Sequence, residues 1–147
     1  MIDKDIVFLA QTDTTVGFLS QNPLRLAEVK KRDSKQPFLL CVDSFQKQKK
    51  LARTPKKFRA LVRRSQKTTF LYPNAKAIRV VKDTAHKQLL KKFDFLYSTS
   101  ANENKKPFSL DYAQEKADIM IKTKEGYHDN SPSPLIKLTK HQKQILR

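Results

Sequence analysis

A single α/β domain, with helices covering a twisted mixed sheet, is the fold the sequence predicts, and three observations predict it. The chain has 147 residues, so one domain is the expected size and two would each be small. Short runs rich in Val, Ile, Phe and Tyr alternate with helical patterns that open on cap residues. Several neighbouring runs are joined by turns too short for a crossover, so parallel and antiparallel pairs must coexist.

The elements follow in order. Ile6-Val7-Phe8-Leu9 reads as a buried strand that empties into the polar turn Gln11-Thr12-Asp13-Thr14-Thr15. Asn22-Pro23 is a cap followed by Pro at the first helical position, opening a helix over about residues 24–31. An apolar strand at 38–42 is bounded by Pro37 and Asp43. Thr54-Pro55 repeats the cap-plus-Pro pattern, and Phe58, Leu61 and Val62 form the apolar stripe of a helix reaching Arg64. Strands at 68–72 and 77–81 meet at Pro73-Asn74. Asp83 or Thr84 caps a helix whose apolar face is Leu89, Leu90 and Phe93. The strand Phe95-Leu96-Tyr97 runs into Ser98-Thr99-Ser100-Ala101-Asn102, and Ser109 caps a short helix to Lys116. A strand at 118–122, a loop at 125–134 and closing strands at 135–138 and 144–146 complete the chain, with no internal repeat.

Charge narrows the function classes. Lys and Arg number 31 against 14 acids, a formal charge of +17, and such a field is usually tolerated because a polyanion occupies it. Nucleic acid, nucleotide or an anionic surface is the partner class this implies. The excess is concentrated: residues 30–67 hold fourteen Lys or Arg and two acids, Asp33 and Asp43. On the helix expected at 54–64, Lys56, Lys57, Arg59, Arg63 and Arg64 lack the acidic i,i+4 partners of an ordinary solvated face. Nothing in the spacing separates DNA from RNA. The one cysteine, Cys41, sits in an apolar run and has no partner in the chain for a disulfide, which fits a reducing cytoplasm. No apolar run approaches the roughly 18 residues of a membrane span, and Met1-Ile2-Asp3-Lys4-Asp5 does not read as a signal peptide. A soluble cytoplasmic protein with no membrane partner is expected.

Candidate chemistry is limited by the same inventory. His86, His128 and His141 are scattered, without metal-ligand spacing, and read as surface residues, so no metal site is expected. With only two glycines, Gly17 and Gly126, there is no glycine-rich phosphate loop, and a phosphate site must be built from side chains. Two polar segments directly follow apolar strands, at 12–15 and 98–102, where ligands of open α/β sheets bind. Singly, each reads as turn and cap residues. Joined with Lys30-Lys31-Arg32 at the end of the first helix, they become a candidate polyphosphate clamp.

In this order the residues resemble the YrdC-like family, the threonylcarbamoyl-AMP synthases. Thr12-Asp13-Thr14-Thr15-Val16-Gly17 matches the family's Thr-Asp-Thr-x-x-Gly after the first strand. Lys30 and Arg32 match its Lys-x-Arg, followed by Pro37 and the strand at 38–42. The Thr-containing strand at 69–73, Ile78-Arg79-Val80, the unaltered Ser98-Thr99-Ser100-Ala101-Asn102, and Pro132-Ser133 before the strand at 135–138 complete the series. The resemblance covers nearly the whole chain and implies one YrdC-like domain over residues 1–147, a twisted mixed sheet with a basic concave surface. Departures fall near the site: Gln11 for Pro, Val16 for Tyr, Ser65-Gln66-Lys67 for Pro-Gly-Pro, and Glu103-Asn104-Lys105 where Ser-Gly is usual.

The resemblance implies that L-threonine, bicarbonate and ATP, with Mg2+ accompanying the ATP, give threonylcarbamoyl-AMP and pyrophosphate. The product would pass to a downstream threonylcarbamoyl transferase for tRNA modification. It assigns Lys30 and Arg32 to the triphosphate as catalytic groups, and Ser98, Ser100 and Asn102 to the nucleotide, with Thr69 and Ser133 nearby. Thr12 and Thr14 would line the threonine pocket and Arg79 would pair with the threonine carboxylate. The alternative is a non-catalytic module that binds tRNA or double-stranded RNA, favoured by the departures and the charge excess; a small basic ribosome-associated protein is a third reading.

Overall fold

The computed structural model describes residues 3–128 and 131–147; Asp129 and Asn130, in the loop expected at 125–134, lie outside the described residues. The chain divides into two compact units, Met1–Phe38 with Leu96–Pro132, and Leu39–Phe95 with Ser133–Arg147.

In the first unit, β1 (Phe8–Gln11) turns through Thr12–Thr15 into β2 (Val16–Ser20), its antiparallel partner. β2 also pairs antiparallel with β6 (Leu96–Ser100), and β7 (Ile119–Met120) runs parallel to β1. All five residues of β2 are buried, yet no strand was expected at 16–20. The reason lies in Gly17, a residue that weakens strand propensity and is needed here for close approach. A Cβ at this position would lie 2.8 Å from Thr12 Cγ2 and 3.3 Å from the Thr99 carbonyl oxygen.

Helix α1 (Pro23–Lys30) starts as expected: the Asn22 side chain accepts from the Leu24 N–H at 3.0 Å, and Pro23 takes the first position. It ends on Lys31, which adopts the left-handed conformation at φ 54°. The Arg32 N–H then donates to the Ala27 carbonyl at 2.9 Å, closing the helix in a Schellman-type turn. Leu26, Ala27 and Val29 pack with Val7, Leu9 and Phe18 in the core of this unit. Helix α5 (Leu110–Lys116), capped by Ser109 as expected, adds Ala113 to that core, and its Tyr112 hydroxyl donates to the Val29 carbonyl.

In the second unit the strand order is β3 (Leu39–Val42), β5 (Ala77–Val80), β4 (Thr69–Leu71), β8 (Leu135–Leu138) and β9 (Lys143–Ile145). The pairings alternate parallel, antiparallel, parallel and antiparallel, the mixture that the short turns require. Helix α2 (Phe45–Leu51) was not expected: only Gln48 of its seven residues is buried, so it has no apolar stripe, and its mark in the sequence is the Ser44 cap. The helix expected from Thr54 is instead a 3-10 turn, Lys56–Phe58, leading into α3 (Arg59–Arg64). Thr54 does not cap it; its hydroxyl donates to Gln48 Oε1 at 3.4 Å. Phe58 and Val62 are buried and hold this segment down. In α4 (Thr84–Leu90), capped by Asp83, His86 is 2% exposed, which corrects the expected surface position. It lies one helical turn before Leu90, on the face turned to the core.

Gly17→Ala should cost about 1–3 kcal/mol, because Thr12 is held by its own hydrogen bonds and cannot withdraw freely. The denaturant midpoint should fall with an unchanged m-value; an unmoved midpoint would show that Thr12 yields.

Candidate anion-binding site

Three features of the first unit's chain path deliver the groups of one site. The end of α1 presents Lys30, 3% exposed, and its ammonium donates to the Ser100 carbonyl at 3.0 Å, Ser100 Oγ at 3.3 Å and Asn102 Oδ1 at 3.0 Å. Strand β6 carries Ser100 there, and the Ala101 N–H bond to the Val16 carbonyl at 2.8 Å extends the β2 pairing past the strand's end. The Asn104 N–H returns to the Lys30 carbonyl at 2.8 Å, tying the loop to the helix that supplies the cation.

Every polar atom of the Asn102 amide is engaged. Oδ1 accepts from Lys30 and, at 2.5 Å, from the Ser100 hydroxyl; Nδ2 donates to the carbonyls of Glu103 at 2.9 Å and Lys106 at 2.7 Å. These bonds fix which face Asn102 offers. Lys30 thus has oxygen partners but no carboxylate among them. Burial, and then the nearby Arg32 charge, lower its pKa from 10.5 to about 8.

Arg32 does not reach Ser100 or Asn102. Its Nη2 donates to the Pro37 carbonyl at 2.7 Å and its guanidinium stands 4.4 Å from the Phe38 ring centroid. Its Nε is buried without a hydrogen-bond partner among the described residues, and burial lowers its pKa. Ser98 is buried two residues before Ser100 in β6, while the Lys30 bonds go to Ser100 and Asn102.

Thr12 and Thr14 are 5% and 6% exposed. The Thr12 hydroxyl donates to the Thr15 carbonyl at 2.6 Å and accepts from the Thr14 N–H at 3.1 Å. Its proton is committed to the turn, so the Thr14 hydroxyl, 3.3 Å away, is the donor to Thr12 Oγ1 and keeps its lone pairs to accept. Gln11, standing where the resembled family has Pro, accepts from the His128 N–H at 2.6 Å and so anchors the later loop.

The departure at Glu103 also has a structural role. Its carboxylate pairs with Lys106 at 3.0 Å and Lys31 at 3.2 Å, and those hydrogen bonds hold it below the usual carboxylate range. Glu103 and Lys106 were not among the expected site residues; an acid three residues before a lysine in a short loop was the available signal.

The second unit contains another cationic cluster. The Thr69 and Ser133 hydroxyls are 2.8 Å apart, and Arg79 Nη1 donates to Thr69 Oγ1 at 3.3 Å. Thr69, Arg79 and Ser133 are all nearly inaccessible, and the parallel β4–β8 register sets Thr69 opposite Leu135. Arg147 completes the group: Nε donates to the Ser133 carbonyl at 2.9 Å and Nη2 to Ser133 Oγ at 3.3 Å. Burial, and then the charge of Arg79, lower the Arg147 pKa. Sequence reasoning missed Arg147, because only the β8–β9 hairpin returns it to Ser133.

The first unit therefore defines an α/β protein in which a buried cation at the end of α1 is held by a serine and an asparagine, without a glycine cradle. The chain belongs to the Sua5/YciO/YrdC family, whose model, described as "Telomere recombination", matches residues 1–147. Among solved structures, it is similar to P. abyssi Sua5 complexed with L-threonine, at TM-score 0.76 and 21% identity, over 97% of this chain and 50% of that one. E. coli YciO matches at TM-score 0.77 and 17% identity, over 96% and 82%. Full-length HypF in its phosphate- and nucleotide-bound form matches at TM-score 0.78 and 15% identity, over 98% of this chain and 27% of that one. The chain spans about half the length of the Sua5 structure. No curated protein shows significant sequence similarity to it. Among the described residues, no helix is long and apolar enough to cross a membrane.

The Lys30 ammonium should titrate near pH 8, against about 10.4 for an ordinary lysine, when its Cε resonance is followed by NMR. Because the folded pKa lies below the unfolded one, the unfolded chain binds the extra proton between these values. Lys30 thus makes stability rise with pH across that window. A midpoint above pH 10 would show that the ammonium is solvated.

Proposed function

We propose that the chain is an L-threonylcarbamoyladenylate synthase. The observation that carries this reading is the buried Lys30 ammonium held by Ser100 and Asn102 with no carboxylate partner among the described residues, beside a second cation, Arg32. A polyphosphate supplies the missing negative charge. Family membership, the likeness to Sua5 bound to L-threonine and the likeness to nucleotide-bound HypF support the substrates named.

On this reading the threonine amine and bicarbonate lose water to give an N-carboxylated threonine. A carbamate oxygen attacks the α-phosphorus of ATP; the new O–P bond forms as the bond to the β-phosphate's bridging oxygen breaks, releasing pyrophosphate. Such a transfer needs positioning and charge neutralisation rather than a protein nucleophile. Lys30 and Arg32 stabilise the charge on the departing pyrophosphate, and Ser100 and Asn102 fix Lys30 for that task. Ser98 supports Ser100 from the same strand. Thr14 offers a hydroxyl to the amino acid while Thr12 shapes its turn. In the second unit, Arg79 and Arg147, joined through Thr69 and Ser133, form an anion-binding group suited to a carboxylate or phosphate. Magnesium enters with the triphosphate as part of the substrate; among the described residues, no group of three or more His, Cys, Asp and Glu could hold a resident metal. The proposed product would be consumed by a threonylcarbamoyl transferase acting on tRNA, in the cytoplasm.

The charge excess at residues 30–67, fourteen Lys or Arg against two acids, favours a second reading, a non-catalytic module for tRNA or double-stranded RNA. Calorimetry separates the two: the synthase binds ATP and threonine, the RNA module neither.

Pyrophosphate release should require threonine, bicarbonate and ATP together when each is omitted in turn. Lys30→Ala or Arg32→Ala should lower the rate by the equivalent of about 2–4 kcal/mol while leaving the fold intact. Unchanged turnover in both variants would reject the assignment.

A further inference from the structure

Two backbone positions in a conformation that favours glycine flank the Lys30 site, and both carry lysine. Lys31 ends α1 at φ 54°, and Lys105 stands at φ 65° in the loop after Asn102. The Lys106 N–H donates to the Glu103 carbonyl at 2.9 Å, so Lys105 takes the third position of a type II turn over residues 103–106. A left-handed residue with a Cβ is strained, and it persists only where its surroundings hold it. One side chain reaches both turns. The Glu103 carboxylate meets the Lys106 ammonium at 3.0 Å, across the loop turn, and the Lys31 ammonium at 3.2 Å, at the end of α1.

The loop turn is also the seat of Asn102. Asn102 Nδ2 donates to the carbonyls of Glu103 and Lys106, the first and last residues of the turn. The Asn104 N–H, inside it, donates to the Lys30 carbonyl. Splaying the turn therefore shifts the amide whose oxygen accepts from Lys30 at 3.0 Å.

We infer that Glu103 is a positioning residue: by clasping Lys31 and Lys106 it holds two non-glycine turns closed, and through Asn102 it keeps the Lys30 ammonium seated. The clasp belongs to this chain's own residues, Glu103-Asn104-Lys105, which stand where Ser-Gly is usual in the family. Lys31 and Lys106 are exposed, so either ion pair alone is weak. The effect comes from one carboxylate bridging two strained segments that border the same buried cation. The clasp stands apart from the synthase reading; its consequence for turnover rests on that reading.

The test follows the Lys30 Cε resonance against pH in the substrate-free protein, with circular dichroism reporting the fold. In Glu103→Ala the midpoint should rise from about 8 by at least about one unit, toward the 10.4 of a solvated lysine, as water reaches the ammonium. A carboxylate acting on Lys30 through charge alone would give the opposite sign, because its removal disfavours the ammonium. Glu103→Gln, which keeps the shape and loses the charge, should raise the midpoint by less, and it carries the test if Glu103→Ala does not fold. Adding Lys105→Gly to either variant should return the midpoint to about 8, since glycine needs no clasp. Lys105→Ala removes the same charge and should not. In the pyrophosphate assay Glu103→Ala should lose about tenfold in kcat, recovered by the same glycine. No turnover in the unaltered protein would reject the synthase reading and leave the titration to decide the clasp. An unmoved or lowered midpoint on loss of the carboxylate, or any pattern of recovery other than by glycine alone, would overturn the inference.

Discussion

A buried ammonium with no carboxylate partner among the described residues is the constraint around which the first unit is organised. Desolvating such a group costs several kcal/mol, and only well-placed oxygens offset it. Lys30 obtains three contacts, two from Ser100 and one from Asn102, and together they depend on three parts of the fold. The Schellman-type closure at Lys31 stops α1 where Lys30 faces inward. The β2–β6 register and its extension at Ala101 bring Ser100 within reach. The bonds from Asn102 Nδ2 to Glu103 and Lys106 turn its oxygen toward the cation. Loosening any of these leaves the charge incompletely satisfied, so site geometry and local stability are linked.

On the proposed reading, that arrangement is how a chain with two glycines meets phosphate. Glycine-rich loops present backbone N–H groups to an anion. Here the charge is concentrated in side chains held in place by backbone and amide oxygens, and Gly17 serves instead to let β2 pass close to Thr12. Arg32 complements Lys30 from a different seat, stacked on Phe38 and bonded to the Pro37 carbonyl. Two cations supported independently present charge in two directions, which suits an extended polyphosphate better than a single point charge.

The parts legible in the sequence are those set by local rules. Asn22-Pro23, Asp83 and Ser109 mark helix starts through short-range hydrogen bonds, and the structure places caps at each. The strands at 38–42, 68–72 and 77–81 carry enough apolar and β-branched residues to be read directly. What was missed depends on partners far along the chain. β2 is a strand because β1 and β6 flank it, despite Gly17. Thr54 became a side-chain partner of Gln48 rather than a cap, and His86 was drawn inward by its place before Leu90. In the site, Lys30, Ser100 and Asn102 were foreseen as partners and do meet. Arg32 was expected to join them, and its neighbours Pro37 and Phe38 hold it instead. Arg147 gave no local signal, since its bonds to Ser133 arise from a strand return.

Proton linkage tests the role of Lys30 most directly. Calorimetric titration of ATP at pH 8, in two buffers of different ionisation enthalpy, counts the protons taken up on binding. With Lys30 half protonated in the free protein and fully charged against a phosphate, about half a proton should be absorbed, and Lys30→Arg should absorb none. Binding with no proton uptake in the unaltered protein would contradict a phosphate-paired Lys30.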